Sequence, residues 1–420
     1  MPSLRFSCFV GVLLIGLAAT LPAAEPIATS ANPTIPMFHK WQMQMADKAV
    51  DKVAALGESR VQFCITLVSE LNAQYQPQNF GLLRETRDGG AGDTFYPSDE
   101  PLRAEFKAWC AAAFARAVEH RLGIAVLLHL NAHGPIQRWR NDFDFDPLTP
   151  LDGASYADAL VRPVMEALEE VVPADWPVEV SLQGEMGRTI FTHPRSWLTL
   201  LTEVKKRGKL RRAVFGLSFN YQEIAGPATP AKLEQATLSK LWEVCDFIGV
   251  SMYQTLEVPP RAENIALNFG HFVNQFAALG CALPAAKPLH LVEFGLGGGA
   301  QLPDGGFHAP APSAAEAART PFVGTDKPAQ NPWADPALVA LRRQTYAAFC
   351  EFLSRPSTSS PVPAAYVWSY GSFDVHGLVT PAFTDEEISR RLRDHNRNSR
   401  RPALLDGSDG YSLRGAFGGN

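Results

Sequence analysis

The sequence predicts an α/β fold, a single-domain (β/α)8 barrel (TIM barrel), and three observations lead to that prediction. Apolar, β-branched runs alternate with helix-like patterns along the whole chain, which indicates a parallel sheet whose strands are joined by helices. Eight such units fit a closed barrel better than an open, doubly wound sheet. The first unit, "TIPMFHKWQMQ", also lacks the glycine-rich phosphate turn that is typical of open sheets.

The eight units follow one another in a regular order. The predicted strands are 33–38, 60–68, 123–133, 178–185, 213–221, 246–254, 289–295 and 364–372. Helical patterns follow them at 41–56, 102–121, 156–171, 195–207, 230–244, 261–279, 337–354 and 384–394. Long connections lie at 72–99 and 297–336. Loops of that length are usually functional or disordered, so 297–336 either covers a substrate groove or is disordered.

The N-terminal segment predicts that the protein is secreted. Residues 1–24 combine Arg5, an apolar stretch and small residues at Ala23 and Ala24, the pattern of a signal peptide. An uncleaved anchor is the alternative, although the apolar run is short for spanning a bilayer. The predicted barrel occupies 30–395, and 396–420 is a flexible tail rich in Arg, Gly and Ser. We therefore expect a secreted or periplasmic protein with no membrane span after cleavage.

Composition narrows the function classes. The chain has 420 residues, 46% of them hydrophobic, and a net charge of −5, which fits a globular protein with a sizeable core. No basic patch indicates nucleic acid binding. Five cysteines remain beyond the predicted signal peptide. An odd number leaves at least one free thiol and specifies no disulfide framework.

Polar and aromatic residues stand at the C-terminal ends of the predicted strands, where barrel enzymes place their chemistry. The sharpest signal is a pair of glutamates, Glu185 at the end of the fourth strand and Glu293 at the end of the seventh. Two facing carboxylates are what glycoside hydrolysis requires: one protonates the leaving oxygen, and the other attacks the sugar or activates water. The alternative is a pair of ordinary loop carboxylates or ion-pair partners. The further candidates for substrate binding are Trp41, Asn131, His133, Gln183, Asn220, Tyr253 and Trp368.

The motifs around these residues resemble those of the clan A glycoside hydrolases, retaining (β/α)8 enzymes that include β-mannanases, cellulases and β-galactosidases. The resemblance implies that Glu185 in "QGEMG" is the general acid/base and Glu293 in "LVEFG" is the nucleophile. It also implies that Tyr253 in "SMYQ" contacts the nucleophile and that Trp368 in "YVWSYG" stacks on the sugar. These roles require a raised pKa for Glu185 and an ionised Glu293.

One position departs from the clan pattern. Most members have asparagine before the acid/base glutamate, where it binds the sugar 2-hydroxyl, and this chain has Gly184. Either Gln183, Asn131 or Asn220 supplies that contact, or the substrate does not need it.

Two other functions use the same residues. A carbohydrate-binding barrel would keep the aromatic mouth without catalysis. A metal-dependent hydrolase would use His129, His133 and Glu185, whereas the two-carboxylate reaction needs no metal and no cofactor. The acidic segment "WRNDFDFDP" (139–147) either binds calcium, contacts sugar or is a solvated loop. For the glycoside hydrolase and for the carbohydrate-binding barrel, the expected partner is an oligo- or polysaccharide.

Overall fold

The computed structural model describes residues 29–84, 94–228, 233–301, 309–355 and 362–399. The predicted signal peptide lies outside these residues, as does the predicted tail beyond Ser399. Within them, no helix combines the length and apolar character needed to cross a bilayer.

Eight parallel strands close into a barrel, as the sequence predicts. Neighbours pair in the order β1, β2, β5, β6, β7, β8, β9, β12, and β12 pairs again with β1. A hairpin, β3–β4, extends from β2, and β10 pairs with β11 after the seventh barrel strand. The strands in the described ranges are β1 (Ala31–Met37), β2 (Arg60–Glu70), β3 (Gly81–Arg84), β4 (Thr94–Pro97), β5 (Gly123–His133), β6 (Val178–Gly184), β7 (Ala213–Asn220), β8 (Phe247–Met252), β9 (Leu289–Phe294), β10 (Gly299–Ala300), β11 (Ala309–Pro310) and β12 (Ala364–Val367).

Helices surround the barrel and bury the outward-facing strand residues in one continuous apolar core. They are α1 (Lys40–Gln44), α2 (Ala46–Ala55), α3 (Glu100–Glu119), α4 (Arg162–Val171), α5 (Gly187–Thr192), α6 (Pro194–Lys206), α7 (Gln235–Val244), α8 (Ala262–Ala278), α9 (Ala314–Arg319), α10 (Pro336–Ser354) and α11 (Glu386–Asn398).

The helix that closes the chain corrects one predicted boundary. Helix α11 runs through Asn396, which the sequence interpretation places in the tail. The Asn396 side chain is buried; it donates to the Ala31 carbonyl and accepts from the Ala31 amide, each at 2.8 Å. The end of α11 therefore fastens the first barrel strand.

The interior of the barrel carries polar side chains in layers. Strand β2 shows the pattern: Arg60, Gln62 and Cys64 alternate with residues of the outer apolar core. This alternation follows from the pleat of the strand, which sends successive side chains to opposite faces of the sheet. Gln62 donates to Thr34 Oγ1 at 3.0 Å and to the Val292 carbonyl at 2.8 Å, so it bridges three strands in the middle layer.

The layer at the N-terminal end is a buried charge network. Glu179 on β6 pairs with Arg60 and accepts from the Tyr366 hydroxyl at 2.9 Å. His290 Nδ1 lies 3.0 Å from the same carboxylate, and its ring stacks on Phe247. Burial lowers the pKa of His290 well below its usual range, so the imidazole is neutral. The ion pair of Arg60 and Glu179 thus sits inside the barrel.

All five described cysteines are buried and free: Cys64, Cys110, Cys245, Cys281 and Cys350. Within the described residues the fold is therefore held by packing, hydrogen bonds and ion pairs, without a disulfide.

The buried network predicts a large loss of stability on breaking it. Glu179→Gln leaves the Arg60 charge without its counterion in the barrel interior, and we expect a loss of about 3–5 kcal/mol in the free energy of unfolding, measured by urea denaturation. The control is Asp175→Asn, which breaks the exposed ion pair with Arg211 and should cost less than about 1 kcal/mol. Equal losses in the two variants would contradict a stabilising role for the interior pair.

Candidate active site

The two predicted glutamates lie at the same, C-terminal end of the barrel, and both follow an irregularity in their strand. On β6, Ser181 pairs with Gly216 but Gly184 pairs with Ser218, so β6 carries one extra residue before Glu185. On β9, Leu291 pairs with Val250 but Glu293 pairs with Ser251, again with one extra residue. Bulges of this kind bend a strand and redirect a side chain. Each carboxylate is thus aimed by a local departure from the regular pleat.

The backbone at Glu185 adopts an unusual conformation. Its φ is 56°, in the left-handed region that side chains other than glycine rarely enter. Gln183 stabilises this turn: its Nε2 donates to the Ser218 carbonyl at 2.7 Å, and its Oε1 accepts from the Met186 amide at 2.8 Å. Gln183 is fully buried. Its amide therefore supports the turn and is not offered to a substrate as the sequence interpretation expects.

The Glu185 side chain, only 6% exposed, is surrounded by donors. Oε2 accepts from Arg140 Nη1 at 2.9 Å and from the Trp139 indole at 3.2 Å. Oε1 accepts from Asn220 Nδ2 at 3.0 Å. Within the described residues these hydrogen-bond partners are all donors, which is the setting of a carboxylate. Asn220 therefore orients Glu185 directly.

Arg140 is a site residue that the sequence interpretation missed. It follows β5 in the segment 139–147, and Asn131 Oδ1 accepts from its Nε and Nη2 at 3.2 and 2.9 Å. The next residue, Asn141, accepts from the Gly187 amide and donates to the Glu223 carbonyl, each at 2.7 Å. Asn131 thus holds a cation on Glu185. The only sequence signal for Arg140 is its place beside Trp139 in a loop after a strand.

Glu293 lies in a different environment. It is 4% exposed, and its Oε2 accepts from the Tyr253 hydroxyl at 2.9 Å. Burial raises the pKa of Glu293 to about 7, against the opposing influence of the Arg140 charge and the Tyr253 hydrogen bond. The nucleophile role requires an ionised Glu293, whereas desolvation here outweighs the nearby donors and favours the protonated form below about pH 7. Burial also raises the pKa of Tyr253 well above its usual range, so Tyr253 remains a donor.

The remaining predicted residues divide between the site and its surroundings. Trp368 is half-buried and stacks on Phe38, with ring centroids 5.7 Å apart. His133 stacks on Phe95 of the β3–β4 hairpin, with ring centroids 5.7 Å apart. Trp41 lies half-buried on α1, and its indole N–H is buried without a partner in the described residues.

The acidic segment after β5 is a structured element whose aspartates have partners. Asp142 pairs with Arg138, and Asp144 pairs with Arg188 and with His193. Among the described residues, no three His, Cys, Asp or Glu side chains are grouped to hold a metal ion. His129, His133 and Glu185, which all lie within the described residues, therefore do not form such a group.

The described part of the 297–336 connection is ordered structure beside Tyr253. Helix α9 lies there, and the Ala318 carbonyl accepts from the Leu256 amide at 2.8 Å, just after β8. A small apolar cluster, built on Leu296 and Leu341, fixes the connection to α10. The described part of the connection therefore has regular structure, whereas coverage of a substrate groove stays a prediction; residues 302–308 lie outside the described residues.

Comparisons with known proteins return only distant structural likenesses. No family model matches the sequence, and no curated protein sequence matches it. A GH113 β-1,4-mannanase structure has a TM-score of 0.48 at 11% identity, covering 89% of this chain and 99% of that one. The GH113 β-mannanase AaManA from Alicyclobacillus acidocaldarius has a TM-score of 0.46 at 12% identity (88% and 98% covered). A GH5-4 broad specificity endoglucanase from an uncultured bacterium has 0.44 at 11% (89% and 94%).

The raised pKa of Glu293 predicts a pH-dependent cost to stability. The folded protein keeps a proton on Glu293 that the unfolded chain releases between about pH 4.5 and 7, so the stability of the fold decreases as pH rises through that window. Glu293→Gln removes this cost and should raise the free energy of unfolding at pH 8 on the order of 3 kcal/mol, with little gain at pH 4. The measurement is urea denaturation at both pH values. The exposed Glu243→Gln variant should show no such rise, and a gain at Glu293 that does not vary with pH would contradict the assignment.

Proposed function

We propose that this protein is a secreted retaining glycoside hydrolase that cleaves β-linked glycan, with Glu185 as general acid/base and Glu293 as nucleophile. The observation that carries the proposal is the pair of buried carboxylates at the mouth of the barrel, each redirected by a bulge and each held by donors. Structural ion pairs do not require two strand irregularities at the same end of a barrel. The predicted signal peptide supports secretion.

The surroundings of the two carboxylates suggest how they share protons. Below about pH 7, Glu293 holds a proton that it must lose before it can attack an anomeric carbon. Glu185, in contrast, faces three donors and must gain a proton before it can protonate a leaving oxygen. The proposed roles therefore require a proton to leave Glu293 and a proton to reach Glu185, whose oxygens accept from Arg140, Trp139 and Asn220.

The aromatic side chains at the mouth supply surfaces for pyranose rings. Trp139 is 38% exposed, and its indole N–H is fixed on Glu185 Oε2. Its ring face stands beside the proposed acid/base, where a sugar on the leaving-group side would lie. Trp368, stacked on Phe38, offers a second aromatic face. Aromatic contacts of this kind contribute about 0.5–1.5 kcal/mol beyond area burial.

The first test is release of reducing sugar from β-mannan, β-glucan, xylan and galactan, with and without a chelator. We expect activity on one polymer that resists the chelator and decreases about 10²–10⁴-fold in Glu185→Gln, and at least as much in Glu293→Gln. The matched control, Glu243→Gln on the exposed surface, should retain wild-type activity. Activity that survives Glu293→Gln would rule out the nucleophile. Glycan affinity without any hydrolysis would favour the carbohydrate-binding barrel.

The assignment of roles has its own test in the products. A retaining reaction releases sugar of unchanged anomeric configuration, which proton NMR detects before mutarotation. In the presence of azide, the Glu293→Gly variant should give a glycosyl azide of inverted anomeric configuration. The Glu185→Gly variant should give a glycosyl azide of retained configuration. The reverse pattern would exchange the two roles.

The pH dependence of catalysis follows from the state of Glu293. The proposed reaction needs one proton on the two carboxylates together, and the proton that Glu293 holds in the free enzyme is lost as pH rises through about 7. We therefore expect kcat/KM to fall about tenfold per pH unit above about pH 7. Initial rates at low substrate concentration between pH 6 and 9 measure this limb, and a kcat/KM that stays constant across that range would contradict the raised pKa of Glu293.

A further inference from the structure

Gly184 is required for space and not for backbone conformation. It belongs to the extended strand β6 and has no positive φ. A Cβ at this position would lie 2.3 Å from His129 Nε2, 2.5 Å from His129 Cδ2 and 2.9 Å from Leu127 Cδ1. The imidazole of His129 on β5 therefore fills the volume that any side chain at 184 would occupy.

His129 lies between a carboxylate and a thiol. Its Nε2 is 3.2 Å from Glu293 Oε1, and its Nδ1 is 3.3 Å from Cys64 Sγ. His129 is 1% exposed and Cys64 is fully buried. Neither Nε2 nor Oε1 has a well-aligned hydrogen bond within the described residues. The two unsatisfied buried atoms thus face each other at hydrogen-bond distance, and a small rotation of the ring would align them.

The hydrogen bond between His129 Nε2 and Glu293 Oε1 can form whether Glu293 is ionised or protonated. Burial lowers the pKa of His129 well below its usual range and raises that of Cys64 well above it, so the imidazole and the thiol are both neutral. A neutral imidazole has one donor and one acceptor nitrogen. With Glu293 ionised, the Cys64 S–H donates to Nδ1, and Nε2–H donates to Oε1. With Glu293 protonated, its O–H donates to Nε2, and Nδ1–H donates to the sulfur.

We propose that His129 is a positioning residue for Glu293, that Cys64 pairs with its Nδ1 in either tautomer, and that position 184 is glycine to admit it. The contact satisfies Glu293 Oε1 while Tyr253 holds Oε2, so the orientation of the carboxylate is fixed in either protonation state. The link to catalysis rests on the proposed function, whereas the contact itself can be measured without a substrate.

The charged and titratable groups that surround Glu293 come from several elements. They are Cys64 on β2, His129 on β5, Arg140 after β5, Glu185 after β6 and Tyr253 after β8. Among these, His129 is the one whose nitrogen approaches Oε1. Variants at His129 and Cys64 leave the other groups in place.

The direct test is the titration of Glu293 in the whole protein, followed by carbon NMR with glutamate labelled at Cδ and assigned through Glu293→Gln. His129→Phe removes both nitrogens but keeps a ring against water. The midpoint should rise by about one pH unit, a tenfold change in the protonation equilibrium. His129→Gln, whose Nε2 replaces the imidazole donor, should keep the midpoint near that of wild type. Cys64→Ala should give a smaller rise, and Cys64→Ser none. An unchanged midpoint in a folded His129→Phe variant would overturn the proposal.

A double-mutant cycle tests the steric part. Gly184→Ala should destabilise the fold and shift the Glu293 titration, because the new methyl group displaces the imidazole. In His129→Ala the same change should cost much less, so the two effects are not additive. Gly270→Ala on α8, where a Cβ meets nothing within 4 Å, is the control and should be neutral or stabilising. Additive effects would show that Gly184 is not there for His129.

The two proposals fail differently. If no glycan is cleaved but His129→Phe moves the Glu293 midpoint, the hydrolase assignment fails and the positioning role stands. If the polymer assay succeeds and the midpoint does not move, the positioning role fails and the hydrolase assignment stands.

Discussion

The closed barrel imposes the constraint from which the rest of this structure follows: its interior must be filled by side chains that alternate strands supply in layers. In this chain many of those side chains are polar, and buried polar groups need partners. Arg60 and Glu179 satisfy each other at one end, and Gln62 bridges three strands in the middle. At the open end, His129 and Glu293 complete the column. The site is thus the last of the layers that fill the interior of the barrel.

The two ends of that column differ in how completely their charges are compensated. At the closed end, Glu179 has a cation and a hydroxyl on its oxygens. At the C-terminal end, Glu293 accepts from the Tyr253 phenol and lies beside the His129 imidazole, but burial outweighs these contacts and the Arg140 charge, and its pKa rises to about 7. An incompletely solvated carboxylate costs stability, and such costs are commonly retained where chemistry occurs. The left-handed backbone of Glu185 is a second cost at the same mouth.

The sequence predicted the architecture because the relevant signal is periodic. Eight apolar runs alternate with helical patterns, and both glutamates fall at the ends of their strands. The predicted 195–207 helix lies within one residue of α6, but the prediction missed the short helix α5 before it, which Pro194 separates from α6 because proline cannot continue the hydrogen-bond ladder of a preceding helix.

The side-chain roles at the site were only partly predictable. The contact of Tyr253 with Glu293 was anticipated through the resemblance to the clan A enzymes, not from the position of Tyr253 after a strand. The bulges in β6 and β9 appear only in the pairing register with neighbouring strands. Arg140 reaches Glu185 from a loop whose path depends on Asn141, a contact that no local pattern encodes. From the sequence alone Gln183 was a candidate for substrate binding. In the structure it lies in the β6 bulge and its side chain donates to the Ser218 carbonyl.

Gly184 illustrates why one position cannot be interpreted alone. In the sequence it is a departure from the pattern of the resembled clan, a missing asparagine beside the acid/base. In the structure the space is occupied, because His129 enters it from the neighbouring strand. The imidazole on β5 therefore fills the volume beside β6 and places a nitrogen 3.2 Å from Glu293 Oε1. Under the proposed function, a contact to a sugar 2-hydroxyl would have to come from another strand, because Gly184 has no side chain and the space beside it is filled.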